Sequence, residues 1–164
     1  MPRRGVHGPR PRLATFDYKG AYRYFVTICA DEDRSVFAGE WPYEEVVTVL
    51  SQVAGKSGFH VLVYTFMPNH VHILVEGEEG ADFKEFVRLF KSRTGYSWKR
   101  RTGDTLWQKS YYERVLREGE DTRAVARYIL ENPVRRGLCA DAASYPYTGS
   151  FVVPLNEILL GGTV

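Results

Sequence analysis

The period of the apolar positions changes several times along the chain, and each change marks an element. Tyr22-Arg-Tyr-Phe-Val-Thr-Ile-Cys-Ala30 is dense in aromatic and β-branched residues and lies between Lys19-Gly20 and the acidic run Asp31-Glu-Asp-Arg34, so it predicts a first strand. After Pro42, the residues Val46, Val47, Leu50, Val53 and Ala54 recur at helical spacing, and Gly55 with Gly58 marks the stop. Phe59 to Phe66 predicts a second strand, Met67-Pro68-Asn69 a turn, and His70 to Glu76 a third strand, together a hairpin. Asp82 with Glu85 makes a capping-box-like helix start; Phe83, Phe86, Val87 and Phe90 form the apolar stripe, and Lys84, Arg88 and Lys91 face water. Thr94 to Asp104, with Gly95 and Gly103, reads as a basic loop, and Trp107 to Leu116 as a fourth strand. A last helix runs from about Asp121 to Leu130 and ends near Asn132, because Pro133 disfavours helix in the residue before it.

The order β-α-β-β-α-β-α predicts an α+β, ferredoxin-like (split βαβ) fold. Its antiparallel sheet carries helices on one face, an open opposite face and an extra C-terminal helix. The 164 residues suit one domain, 1–164. Residues 1–20, rich in Arg, Pro and Gly without a hydrophobic period, read as a basic arm that orders on a partner. No apolar run approaches the roughly 18 residues of a membrane span and the first residues lack a signal-peptide core, so the expectation is a soluble, cytoplasmic protein without a membrane partner. Cys29 and Cys139 have no C-x-x-C partner, which argues against a disulfide framework or a cysteine-rich zinc site.

Charge adds a second layer. The net +2 conceals segregation: Arg3, Arg4, Arg10, Arg12, Lys19 and Arg23 stand against Asp17 alone, and Arg88, Lys91, Arg93, Lys99, Arg100, Arg101 and Lys109 against Asp104 alone. Fields of one sign suit a polyanion such as nucleic acid, although basic helices are also often merely solvated faces.

His70-Val71-His72 carries the chemistry. On a strand, residues two apart project side by side and can bind one cation together, whereas on a helix they diverge. Exposed histidines are the alternative reading. Two imidazoles without thiolates leave positions for oxygen ligands and a substrate phosphate, which suits Mg²⁺ or Mn²⁺. Tyr128 and Asn132, four residues apart, place a phenol beside an amide oxygen; they also read as an ordinary helix tyrosine and a C-terminal cap before Pro133.

Met67-Pro-Asn-His-Val-His-Ile-Leu-Val-Glu76, Trp107-Gln-Lys-Ser-Tyr-Tyr-Glu-Arg-Val115 and Tyr128-Ile-Leu-Glu-Asn-Pro-Val-Arg-Arg-Gly137, in that order, resemble the single-tyrosine HUH transposases, and among them the REP-associated tyrosine transposases. The resemblance runs from about Arg3 to Tyr147. It implies a ferredoxin-like fold, His70 and His72 as the metal pair, Tyr128 as the catalytic tyrosine and Asn132 as a third, amide-oxygen ligand for Mg²⁺ or Mn²⁺. The implied reaction is site-specific cleavage and rejoining of single-stranded, hairpin-forming DNA through a 5′-phosphotyrosine link. A monomer is favoured over a homodimer. The subgroup's N-terminal Gly-Thr-Trp-containing motif is replaced by Lys19-Gly-Ala-Tyr22. In this setting Arg3, Arg4, Arg10, Arg12, Arg88, Lys91, Arg100, Arg101 and Lys109 are expected to neutralise phosphates. Trp107, Tyr111 and Tyr112 are expected either to stack on unpaired bases or to pack in the core. The rivals are a module that holds single strands without cutting, which needs no histidine pair, and a phosphoesterase using activated water, which needs no Tyr128.

Overall fold

Five antiparallel strands make one sheet in the spatial order β4-β1-β3-β2-β5 in the computed structural model, which describes residues 14–161. Strands β1 (Arg23–Cys29) and β3 (His70–Gly77) are central and pair from Arg23 opposite Glu76 to Cys29 opposite His70. Strand β2 (Phe59–Met67) runs antiparallel to β3, hence parallel to β1 with β3 between them, the split arrangement. Helix α1 (Tyr43–Ser57) makes the crossover and stops at Gly58, which takes the left-handed conformation (φ 71°) that glycine adopts freely. Arg3, Arg4, Arg10 and Arg12 lie outside the described residues, and no described helix is long and apolar enough to cross a membrane.

Alternation along the central strands decides the layering. Tyr24, Val26 and Ile28 of β1 and Val71, Ile73 and Val75 of β3 are fully buried on one face. They form the main core with Val46, Leu50 and Val53 of α1 and with Phe83, Phe86, Val87 and Phe90 of α2 (Phe83–Thr102). The expected loop at Thr94 to Asp104 is instead the second half of α2. Thr94 and Trp98 continue the buried stripe at helical spacing, and Gly95 is tolerated inside the helix. Part of the segment expected as a basic arm is fixed to the body, while residues 1–13 lie outside the described residues. Tyr18 is buried in the main core and the Gly20 amide donates to the Ala81 carbonyl, so the chain is anchored before β1.

The opposite face is not open along its length. Helix α3 (Thr122–Leu130) lays Val125, Ala126, Ile129 and Leu130 against Leu62, Val63 and Leu74, with Ile158 of α5 (Leu155–Leu159) closing a second core. Leu62 is the extra residue of a bulge between Val61 and Val63, which lets β2 supply apolar side chains to both layers. Strand β4 (Tyr112–Val115) is shorter than the expected Trp107 to Leu116, because Trp107 makes only an isolated bridge with Ala30 and turns into the core. The tail adds β5 (Thr148–Gly149), paired with Tyr64 and Thr65 along the outer edge of β2.

Candidate active site

His70 and His72 project from β3 onto the face that carries α3, at the end of the sheet away from Leu74. Register gives each its neighbours: His72 lies between Thr27 of β1 and Thr65 of β2, with Tyr112 beyond Thr27, and His70 lies between Cys29 and Met67. The two rings converge, with centroids 4.5 Å apart and Nε2 atoms 3.1 Å apart. The other ring nitrogens are occupied: Nδ1 of His72 lies 2.8 Å from Thr27 Oγ1, and Nδ1 of His70 lies 2.7 Å from Asn69 Oδ1. Phe25 meets the His72 ring edge-on at 5.3 Å.

This donor set fits a divalent cation. A ligand imidazole must be neutral, and burial first, then the nearby Arg136 guanidinium, pushes His70 down to about 4, with Asp33 opposing. Two imidazole nitrogens held at right angles about 2.1 Å from one ion stand about 3 Å apart, which the observed Nε2 separation matches. Among the described residues no group of three His, Cys, Asp or Glu side chains forms a metal cluster, so further ligands have to be amide, water or substrate oxygens.

Helices α3 and α4 (Asn132–Arg135) bring the remaining candidates. Asp121 caps α3, its carboxylate accepting from the Arg123 and Ala124 amides at 3.0 and 3.2 Å. Helix α3 ends at Leu130, before Pro133 as expected, and a separate short helix follows. Glu131 keeps a helical backbone and Pro133 starts α4, where its missing N–H is harmless. Asn132 is 8% exposed, and its side-chain amide makes no hydrogen bond among the described residues. Tyr128 is 53% exposed on the outer side of α3. Its ring lies under the Arg135 guanidinium at 4.1 Å, and its carbonyl accepts from Arg135 Nη2 at 2.6 Å. The structure therefore brings His70 and His72 together and sets Arg136 of the α4 turn within electrostatic reach of His70, whereas Tyr128 contacts Arg135 rather than the histidines.

The basic block read from the sequence lies mostly elsewhere. Helix α2 packs on the far layer of the sheet, where Arg88 holds Glu85 through two hydrogen bonds and Arg101 pairs with Glu45 at 2.6 Å. Arg100 stays exposed with its guanidinium over Tyr96. Lys91 donates to the Gln108 and Lys109 carbonyls, both at 2.8 Å, which fastens the chain leading into β4. The Lys109 side chain is exposed. Trp107 is 5% exposed and donates to the buried Thr94 hydroxyl at 2.8 Å, so of the two expected roles it takes core packing and presents no face for base stacking. Tyr111 packs against the same core near Phe83, and Tyr112 is half-buried on the row of His72. Sequence reading overlooked Thr27, Asn69, Arg135 and Arg136. For Asn69 the signal was its place in the turn directly before His70; for the arginines it was their tandem just after Pro133.

Comparison with known proteins gives consistent results. The family model described as "Transposase IS200 like" matches residues 19–132. The chain is 22% identical over 111 residues to the REP-associated tyrosine transposase of Escherichia coli strain K12, covering 65% of this chain and 63% of that protein. It is 26% identical over 117 residues to the ISDra2 transposase TnpA of Deinococcus radiodurans, covering 66% and 81%. A solved structure of a REP-associated tyrosine transposase bound to a REP hairpin superposes with a TM-score of 0.66 at 21% identity, covering 81% of this chain and 78% of that one.

Proposed function

Because the chain belongs to the IS200-like transposase family, we propose that it cuts and rejoins single-stranded DNA at hairpin-forming sites, with Tyr128 as nucleophile and His70, His72 and Asn132 as ligands of Mg²⁺ or Mn²⁺. The observation that carries this reading is the convergence of the two histidine Nε2 atoms at 3.1 Å while both Nδ1 atoms are engaged behind them. A divalent cation bound there supplies charge neutralisation at the non-bridging phosphate oxygens and orients the phosphate.

The chain's own groups do the rest. The Tyr128 hydroxyl attacks phosphorus, a phosphorus–oxygen bond forms to the phenol, and the bond to the 3′ oxygen breaks. The phenolic proton passes to solvent and the leaving oxygen takes one up, so the strand ends as a free 3′-hydroxyl and a 5′-phosphotyrosine. Attack by another 3′-hydroxyl reverses the step without an external energy source. The exposure of Tyr128 leaves its hydroxyl accessible to a strand, and the Arg135 guanidinium over its ring places a cation where the attacked phosphate would come. Asn132 is buried, its side-chain amide makes no hydrogen bond among the described residues, and it offers its side-chain oxygen from the turn that also carries Arg136.

The test is a labelled single-stranded hairpin incubated with Mn²⁺ and resolved in SDS. Wild type forms a stable protein–DNA adduct; Tyr128→Phe forms none; His70→Ala and His72→Ala lose cleavage and metal dependence together. An adduct that persists in Tyr128→Phe refutes the nucleophile. Mixing Tyr128→Phe with His70→Ala restores no adduct if each chain uses its own tyrosine.

A further inference from the structure

The two metal-pair histidines are backed by different chemistry, and the difference is built into the acidic turn after β1. Asn69 donates from Nδ2 to Asp33 Oδ1 at 2.7 Å, while its Oδ1 lies 2.7 Å from His70 Nδ1. A carboxylate only accepts, so it fixes the amide with nitrogen towards Asp33 and oxygen towards His70. That oxygen also only accepts, so His70 carries its proton on Nδ1 and presents a lone pair at Nε2. Behind His72 stands the Thr27 hydroxyl, 2.8 Å from Nδ1, which can donate or accept. A rotation of the Thr27 hydroxyl therefore accommodates either ring form of His72, with the ring proton exchanging through solvent, whereas the Asn69 oxygen accommodates only one form of His70.

The turn that presents Asp33 is held against its own backbone preference. Glu32 and Asp33 both take left-handed conformations, with φ of 53° and 57°, a region that non-glycine residues occupy only where the surroundings enforce it. Arg34 enforces it by donating to the Asp31 carbonyl at 3.2 Å, to Asp104 at 3.2 Å and to the Thr105 carbonyl at 2.5 Å. The Ala30 amide donates to the Asn69 carbonyl at 2.8 Å and the Phe37 amide to the Pro68 carbonyl at 2.9 Å, which tie this turn to the β2–β3 turn.

We propose that Asp33 is a positioning residue that acts through Asn69 to lock His70 in the Nδ1–H form with Nε2 free for a cation, while Thr27 leaves His72 able to switch form when the cation arrives. The proposal rests on the metal reading above. It extends that reading outward to residues that touch neither metal nor substrate. With a cation held at the two Nε2 atoms, His72 would carry its proton on Nδ1, released from Nε2 to solvent and taken up from solvent, and the Thr27 hydroxyl would accept rather than donate, so the net charge of the pair would not change.

Two measurements test this on the full chain. The first is ¹⁵N chemical shifts of the histidine rings in metal-free protein at neutral pH, where His70 shows a protonated Nδ1. Asp33→Ala frees the amide to rotate and gives a mixture of both forms at His70, and Asp33→Asn, which keeps an acceptor, restores most of the wild-type signal. The second is Mn²⁺ binding by titration calorimetry. Asp33→Ala weakens it about tenfold, the usual scale for loss of a group behind a ligand, and Asp33→Asn recovers most of the loss. Wild-type His70 protonated at Nε2 overturns the proposal even if no variant folds. So does wild-type Mn²⁺ affinity in a folded Asp33→Ala. A wild type with the expected ring signal but no Mn²⁺ binding overturns the metal reading instead.

Discussion

Leu74→Ala tests whether the sheet's second face is built as described. Leu74 is fully buried and points to the same side as His72, two residues away, but at the covered end, in the cluster with Val125, Ala126, Ile129 and Leu130 of α3. The substitution removes three carbon atoms. At about 0.8 kcal/mol per buried methylene, with a contribution from the cavity left behind, the loss is about 3 kcal/mol. For a domain of this size that lowers the melting temperature by about 6–12 °C. The melt is followed by circular dichroism, alongside Mn²⁺ titration and the yield of SDS-stable adduct. His72 is fixed by its strand pairing to Thr27 and Thr65, whereas Tyr128 rides on the helix that loses its seat. Adduct yield therefore falls by a larger factor than Mn²⁺ affinity. A melting temperature lowered by less than about 3 °C refutes the burial reasoning. Equal losses of affinity and adduct refute the claim that helix and metal pair are separately supported.

Trp107→Ala, at a site 5% exposed, costs about 3–5 kcal/mol in urea unfolding. A stable variant with weakened DNA binding would return the residue to a stacking role. In Gly77→Ala the new methyl lies 2.7 Å from the Gly20 carbonyl oxygen and 3.0 Å from Phe59. Relief of that overlap costs about 1–3 kcal/mol, read in the same unfolding assay; no change would show that the β1 entrance can shift freely. Arg135→Ala lowers the salt dependence of single-strand binding by about 0.7 in the log–log slope, as loss of the one phosphate contact proposed for it requires. Arg88→Ala leaves the slope unchanged, since Arg88 is held by Glu85 on the far layer; the reverse pattern would put the DNA on the helical side.

The parts of this fold visible in the sequence are those that local patterning controls. Strand alternation was enough to put His70 and His72 on one side of β3, and the Phe83, Phe86, Val87 and Phe90 stripe announced α2. The same stripe runs on through Thr94 and Trp98, but Gly95 and Gly103 suggested a loop, and tertiary burial of those two side chains overrode the glycine. The apolar face of α3 was legible, yet nothing local says which surface it covers, so the far side of the sheet was expected to be open. Likewise Thr27 meets His72 across a strand pair from 45 positions away, and Asp33 meets Asn69 from 36 positions away. Such contacts follow from register, which a single sequence does not display.

The two-residue β5 occupies part of the outer edge of β2, and the amides of Phe66 and Phe151 extend that contact through the Tyr147 and Val61 carbonyls. The opposite margin is β4, only four residues long, where Arg114 is paired with Glu120. A covered margin on one side and a short, charged one on the other give a second molecule little ladder to extend. Edge-to-edge pairing of two copies through this sheet is thereby disfavoured.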